Sequence, residues 1–498
     1  MIKIFYTSDV HGYIFEHLYH DNKKANLGLG KVKAYLNSHY DENSIYLDNG
    51  DILEGSEFLD YYYENSINEI NPSTKALKLM NVDYINLGNH DFNYGTKIMN
   101  EHKNHFKCLT ANIHYKNKPL GKTYIHEFKN KVKIALIGVC THYIDHYEKE
   151  ENLKDIKLID AYDFLKEEVK KYRPLVDYVV VMYHGGFEKD PISKKEIEKD
   201  TGENQAFRMI DEIEGIDIFL SGHQHLKLCG KYKNTYYLQP GHRAQYLGFV
   251  SIDDNGEIKN ELIEMNIKAD DNFLANFKDE ETKCQKWLDE IIIKTDYDLE
   301  IKDGFDVRLN KHLIVSLLNQ IQLAKSGADI SAVAIFNDAK GFKKEISLRD
   351  LCSTYVYPNS LVVLEVDKNI LKEYLEKCAE YFTIENDQIV VSKEYYEYKV
   401  KHYNYDLLDG IEYTIKVSNP INNRIINLTK DKKEIGENDK FKLVVNNYRA
   451  AGGGDFDMLK KAKVIKIIDE SMVNIIYEYL KKNQELIIKH HDNIKIIK

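Results

Sequence analysis

The chain has 498 residues, 43% hydrophobic and 30% charged, enough for a packed core and too long for one average domain of roughly 150 residues. Its net charge of −11, from 69 basic and 80 acidic residues, argues against a binder of duplex nucleic acid, whose footprint is a basic surface. A small phosphate substrate stays open, because bound metal ions invert the local field.

In chain order, six short apolar or β-branched runs read as strands: IKIFYTSD, SIYLDNGD, YINLGNHD, KIALIGVCT, DYVVVMYHGG and IDIFLSGHQH. Amphipathic stretches such as 30–37 and 162–172 read as helices between them, and buried strands separated by helices predict a layered α/β domain. TYYLQPGHRAQYLGFVSIDD reads as a terminal hairpin of this domain, which spans 1–264. Residues 265–303 turn charged and helical in period and read as a linker helix. A second α/β unit, 304–498, opens with LIVSLLNQIQLAKSGADISAVAIFN. It continues through SLVVLEV, a helix near 368–381, the strands EYTIKVS and FKLVVNNY, and a closing helix.

The chemistry gathers where the strands end: SDVHG, DNGD, GNHD, YHGG and SGHQH. Carboxyl ends of parallel strands lie along one edge, where open α/β folds bind ligands. Asp9, His11, Asp51, Asn89, His90, His184, His223 and His225 are therefore expected to converge on one cleft. Residues i and i+2 of an extended segment point the same way, so Asp9 with His11, and His223 with His225, can reach one ion. Imidazoles, carboxylates and one amide suit Zn, Mn, Fe or Co rather than a thiolate site, and eight donors are enough for two ions. His17, His20, His39, His102 and His105, outside these clusters, read as structural or surface residues.

D-x-H, GD, GNHD, H-GG and GH-x-H, in this order, resemble the calcineurin-like metallophosphoesterase superfamily. In the second half YNYDLLDGIEYTI and VVNNYRAAGGGDF resemble the C-terminal domain of the 5'-nucleotidase family, which includes UDP-sugar hydrolases and 2',3'-cyclic-nucleotide 2'-phosphodiesterase/3'-nucleotidases. The resemblance covers essentially the whole chain. It implies a metallophosphoesterase β-sandwich flanked by helices, followed by an α/β nucleotidase domain that selects the nucleoside. It also implies roles. Asp9, His11 and His225 would bind one divalent ion, and Asn89, His184 and His223 a second. Asp51 would bridge the two ions, and His90 would face the phosphate. Many members of the nucleotidase family carry Gln where His225 stands, while the wider superfamily carries His. Two ions about 4 Å apart acidify a shared water and clamp the phosphoryl oxygens, so no protein nucleophile is needed.

The branch is read from departures. Asn93 stands three residues after His90, where 5'-nucleotidases carry an Asp that orients and charges the histidine; FNYG endings are similar to the cyclic-nucleotide phosphodiesterase branch. In AVAIFNDAKGF the phosphate-binding Arg of 5'-nucleotidases is missing, and Phe336 and Asn337 occupy that stretch. One extra glycine precedes Asp455, another departure from the 5'-nucleotidase pattern. Tyr448 is the expected aromatic clamp for a nucleobase, with Tyr405 or Tyr403 as its partner. The expected activity is hydrolysis of 2',3'-cyclic nucleotides and 3'-nucleotides. The alternatives are a 5'-nucleotidase or UDP-sugar hydrolase and, from another class, an inactive nucleotide-binding protein.

The six cysteines form no C-x-x-C pair and fit a reducing compartment. MIKIFYTSDV carries no basic segment followed by an apolar one, and no apolar stretch reaches the roughly 20 residues of a membrane helix. The expectation is a cytoplasmic protein whose partner is a nucleotide or cyclic nucleotide, with no duplex nucleic acid, membrane or protein partner.

Overall fold

The computed structural model describes residues 1–146, 148–197, 201–355, 359–397 and 400–498. Its strands begin with β1 (Ile2–Thr7), β2 (Ser44–Asp48), β3 (Tyr84–Ile85), β4 (Tyr124–Glu127), β5 (Lys133–Cys140) and β6 (Tyr178–His184). They continue with β7 (Ile218–Ser221), β8 (Lys227–Tyr232), β9 (Thr235–Pro240), β10 (Tyr246–Ile252) and β11 (Ile258–Glu264). These make two sheets, one in the order β11-β10-β1-β2-β3 and one in the order β8-β9-β7-β6-β5-β4. At the heart of each sheet the strands run parallel: β1 with β2 and β3, and β5 with β6 and β7.

Period-two alternation explains the layering. Ile134, Leu136, Val180, Met182, Ile218 and Leu220 pack against Ile4, Tyr6, Ile45 and Leu47 of the other sheet. The intervening residues, Ala135, Ile137, Val179, Val181 and Phe219, turn to the opposite face. There they meet α2 (Ala161–Tyr172) and α3 (Ala206–Glu212), and α1 (Leu29–His39) follows β1 in the chain. Because both faces of the second sheet are covered at its centre, β5, β6 and β7 read as nearly unbroken apolar runs rather than alternating ones. Tyr6 stitches the two layers, its hydroxyl donating to the Leu238 carbonyl at 2.9 Å.

Two expectations are corrected. Residues 235–254 do not form a hairpin: β9 pairs in parallel with β7 in the second sheet, and β10 pairs with β1 in the first. Gly241, Arg243 and Ala244 all take positive φ, and this turn carries the chain from one layer to the other. Residues 265–303 are not one helix. They hold α4 (Asp271–Ala275) and α5 (Lys278–Leu288), followed by the strands Ile291–Lys294 and Leu299–Glu300, which pair with Glu345–Ser347 and Gly341–Phe342. Three consecutive isoleucines favour a strand there.

The chain divides into compact units at 1–285 and 286–498. The second unit is built on a mixed sheet of β12 (Ile330–Ala334), β13 (Leu361–Asp367), β14 (Asp406–Asp409), β15 (Lys440–Asn446) and β16 (Lys463–Ile468), in the order β14-β12-β15-β13-β16. It also contains α6 (Leu313–Ser326), α7 (Lys368–Ala379) and α8 (Met472–Lys482). The strand expected at EYTIKVS, Glu412–Lys416, lies in a separate four-stranded sheet whose edge is the C-terminal Ile494–Ile497. Among the described residues no helix is long and apolar enough to cross a membrane.

Candidate metal centre

Each candidate ligand leaves the C-terminal end of a parallel strand. Asp9 and His11 follow β1, Asp51 follows β2, and Asn89 opens a helical turn, Asn89–Phe92, after β3. His184 ends β6, and His223 and His225 follow β7. Both sheets of the sandwich therefore contribute. The ligand atoms of Asp9, His11 and His225 lie within 4.8 Å of one another, and so do those of Asp51, His184 and His223. Asn89 joins the second group, its Oδ1 standing 2.7 Å from His223 Nδ1.

The loops that carry these side chains are tightly wound. Asp9, His11, Asp51, His223 and His225 all have φ between 52° and 75°, the left-handed region that non-glycine residues rarely occupy. Main-chain bonds knit the turns together: Asp9 N–H donates to Gly50 O at 3.0 Å and His11 N–H to Asp51 O at 2.9 Å. The space is close as well. A Cβ at Gly88 would lie 2.2 Å from Asp51 Oδ1, and one at Gly222 would lie 2.7 Å from Asp9 Oδ2.

Outer hydrogen bonds aim the imidazoles inward. His11 Nδ1 meets the Glu54 carbonyl at 2.8 Å and His184 Nδ1 meets the Asn49 carbonyl at 2.6 Å, so each donates outward and keeps the Nε2 lone pair for the site. His11 Nε2 then faces His225 Nε2 at 3.0 Å. His184 Nε2 lies 3.1 Å from Asp51 Oδ2 and 3.8 Å from Asp9 Oδ1. Neither that nitrogen nor Asp51 Oδ2 makes a hydrogen bond, although both are buried. Buried polar atoms without partners are costly, and a divalent cation satisfies them all at once. Burial pushes Asp9 up to about 6 and His11 and His225 down to about 3, which favours neutral imidazoles there. At His184 burial also opposes the charged form, but the Asp51 and Asp9 carboxylates outweigh it and lift it to about 10, a negative pocket in which a cation would take the place of the proton. The carboxylate, imidazole and amide donors fit a divalent transition metal.

His90 stands beside this cluster. Its amide donates to Asp51 Oδ1 at 2.7 Å, and its Nδ1 lies 2.8 Å from Asn93 Oδ1. Glu54 Oε2 approaches the same nitrogen at 3.3 Å. Burial opposes the charged form, but the Asp51 and Glu54 carboxylates outweigh it and lift His90 to about 9. Asn93 is fixed in turn by donating to Glu148 at 2.7 Å.

Some supporting residues carry no metal-site signal of their own in the sequence. Asp91, inside the GNHD motif, accepts from the backbone of Asp51, Ile52, Leu53 and Gly88 and so locks two ligand loops together. Glu54 and Glu203 reach His90 and His223 from distant loops. His242 stacks on His225 with ring centroids 4.8 Å apart. The histidines set aside on sequence grounds keep other company: His102 is buried against the Thr74 hydroxyl, and His39 stacks on Tyr35.

The calcineurin-like phosphoesterase family matches residues 2–227, and the 5'-nucleotidase C-terminal domain matches residues 293–461. A crystal structure from Staphylococcus aureus, provisionally described as a 5'-nucleotidase, superposes over the whole of both chains with a TM-score of 0.86 and 32% identity. The chain belongs to the calcineurin-like phosphoesterase family. As such it is a phosphoester hydrolase, and proteins of this family bind divalent metals. The trifunctional nucleotide phosphoesterase YfkN of Bacillus subtilis is 23% identical over 93% of this chain, which spans 36% of that protein's length. A 2',3'-cyclic-nucleotide 2'-phosphodiesterase/3'-nucleotidase of Salmonella typhimurium is 25% identical over 91% of this chain and 81% of its own.

In the 5'-nucleotidase C-terminal domain the structure separates the aromatic candidates. Tyr448 sits on a single helical turn, Asn447–Ala450, and is 44% exposed. Its ring lies over Gly453, where a Cβ would come within 2.5 Å of it. Burial, and then the Tyr403 phenol, push its hydroxyl above the usual tyrosine value. Tyr405 is corrected: it is fully buried, stacked on Tyr381 at 5.0 Å and edge-on to Phe382. It is a core residue and presents no face to a ligand. Asn337 is exposed and donates to the Val400 carbonyl at 2.8 Å.

Proposed function

We propose that this chain hydrolyses nucleotide phosphoesters with two divalent ions, its preferred substrates being 2',3'-cyclic nucleotides and 3'-nucleotides. The observation that carries the reading is the pair of adjoining histidine–carboxylate groups with His90 at their side. Asp9, His11 and His225 hold one ion, and Asp51, Asn89, His184 and His223 the other; Mn, Zn, Co and Fe all suit these donors. Bound there, such ions neutralise the phosphoryl charge and acidify the attacking water. The protein's own groups do the rest. Asp91 fixes the Asp51 loop through the backbone. Asn93 and Glu54 hold His90 by Nδ1, which leaves Nε2 to donate to an equatorial or leaving oxygen. Tyr448 and Tyr403 offer flat faces to a nucleobase.

Asn93 and the relatives named as cyclic phosphodiesterases favour the 3' branch. A 5'-nucleotidase is the second reading, and Glu54 favours it: its carboxylate gives His90 the negative neighbour that Asn93 does not. A panel of 2',3'-cyclic AMP, 3'-AMP, 5'-AMP and UDP-glucose with added Mn²⁺, compared by kcat/KM, decides between them. The cyclic and 3' substrates should lead. A lead for 5'-AMP of an order of magnitude would move the chain to the other branch, and no turnover of any of the four by metal-loaded protein would overturn the proposal.

A further inference from the structure

His223 differs from His184, the other histidine of its group, in what meets its outer nitrogen. His184 is met by a main-chain carbonyl, as is His11 in the neighbouring group, whereas His223 Nε2 lies 2.8 Å from the Glu203 carboxylate. The inner nitrogen of His223, Nδ1, lies 2.7 Å from Asn89 Oδ1. With the proton on Nε2 toward Glu203, Nδ1 and the amide oxygen present two lone pairs to each other, an arrangement that a shared cation relieves.

Glu203 is held in place independently of that contact. Its carbonyl accepts from Thr141 Oγ1 at 2.9 Å and from the Tyr183 hydroxyl at 3.0 Å. Asn204, the next residue, accepts from Gly186 N–H at 2.7 Å. Tyr183 and Gly186 flank His184, so the loop bearing Glu203 is pinned to the strand end that supplies another member of the same group. The glutamate and imidazole side chains are only 24% and 14% exposed, which limits screening by solvent.

We infer that Glu203 is the positioning residue of the second ion: it fixes the His223 tautomer with Nδ1 turned inward and makes that imidazole a stronger donor than its carbonyl-bonded neighbours. This rests on reading Asp51, Asn89, His184 and His223 as the ligands of one ion. Glu203 touches no reacting atom and acts through His223.

Mn²⁺ titrated calorimetrically into chelator-stripped full-length chain tests it, with wild type, Glu203→Gln and Glu203→Ala compared and the apo melting temperature of each recorded. In Glu203→Ala one of the two binding events should weaken about 10- to 100-fold, while the other event and the apo melting temperature hold. Glu203→Gln, which still accepts through Oε1, should keep most of the affinity. Wild-type isotherms for both variants overturn the inference. Equal weakening of both events with a lowered apo melting temperature overturns it too, because Glu203 is then only structural. Failure of the wild type to take up Mn²⁺ overturns the reading of the site, and the inference with it.

Discussion

Arg449 closes its guanidinium on Asp406, Nε at 2.7 Å and Nη2 at 3.0 Å, and both side chains are almost wholly buried. The rest of the fork is used as well: Nη1 donates to the Gly453 carbonyl at 2.6 Å and Nη2 to the Tyr403 carbonyl at 2.9 Å. One buried cation thus ties together the loop of Tyr403, the end of β14 and the glycine run beneath Tyr448. Removing one partner of such a pair leaves a buried charge alone, so Arg449→Ala should destabilise the second unit by about 3–5 kcal/mol. Arg449→Lys keeps the charge but not the fork and should fall between. Urea unfolding followed by tyrosine fluorescence measures both, and an Arg449→Ala curve matching wild type would refute the assignment.

Metal removal gives a second expectation. Asp51→Asn and Asn89→Ala should each lower turnover by several orders of magnitude with an unchanged circular dichroism spectrum, and chelation should do the same to the wild type reversibly. Full turnover by chelated, metal-free protein would contradict a dinuclear centre.

His90 lies outside both ligand groups, so its loss should separate chemistry from metal binding. His90→Asn should reduce kcat about 10²- to 10⁴-fold while the bound metal, measured by elemental analysis, stays at the wild-type amount. Loss of metal in parallel would make His90 a ligand instead.

Tyr448→Ala removes one stacking face and should cost about 1–3 kcal/mol in kcat/KM for nucleotides, roughly 5- to 150-fold. Bis(p-nitrophenyl) phosphate has no base and should be affected much less. The ratio of the two activities is therefore the measurement, and an equal drop in both would remove Tyr448 from nucleoside recognition. Tyr405→Ala should behave differently, lowering stability and both activities together, because Tyr405 packs on Tyr381 and Phe382.

The metal cluster was legible because its members sit at strand ends in short glycine-bearing motifs, and strand ends are where apolar runs stop. What the sequence hid was long-range. Nothing local says that β9 and β10 join different sheets, since the turn at Gly241–Ala244 resembles any hairpin loop until its pairing partners, β7 and β1, are known. Tyr403 and Tyr405 stand two apart in the sequence, and only the helical turn at His402–Asn404 and the packing of Tyr381 and Phe382 against Tyr405 decide which is core. Asp91 was visible inside GNHD, but its four backbone partners lie up to 40 residues away. Glu203 has no motif at all, and its meaning comes from His223, 20 residues on.

The left-handed backbone at Asp9, His11, Asp51, His223 and His225 bears on stability as well as on chemistry. Residues held in that region cost of order 1–3 kcal/mol each, though Asp and His tolerate it better than most. Glycine, which adopts positive φ freely, would relieve that cost at any of the five. Five such residues in one cluster hold strain that ion binding offsets, so loading with metal should raise the melting temperature of the first unit as well as switch on hydrolysis.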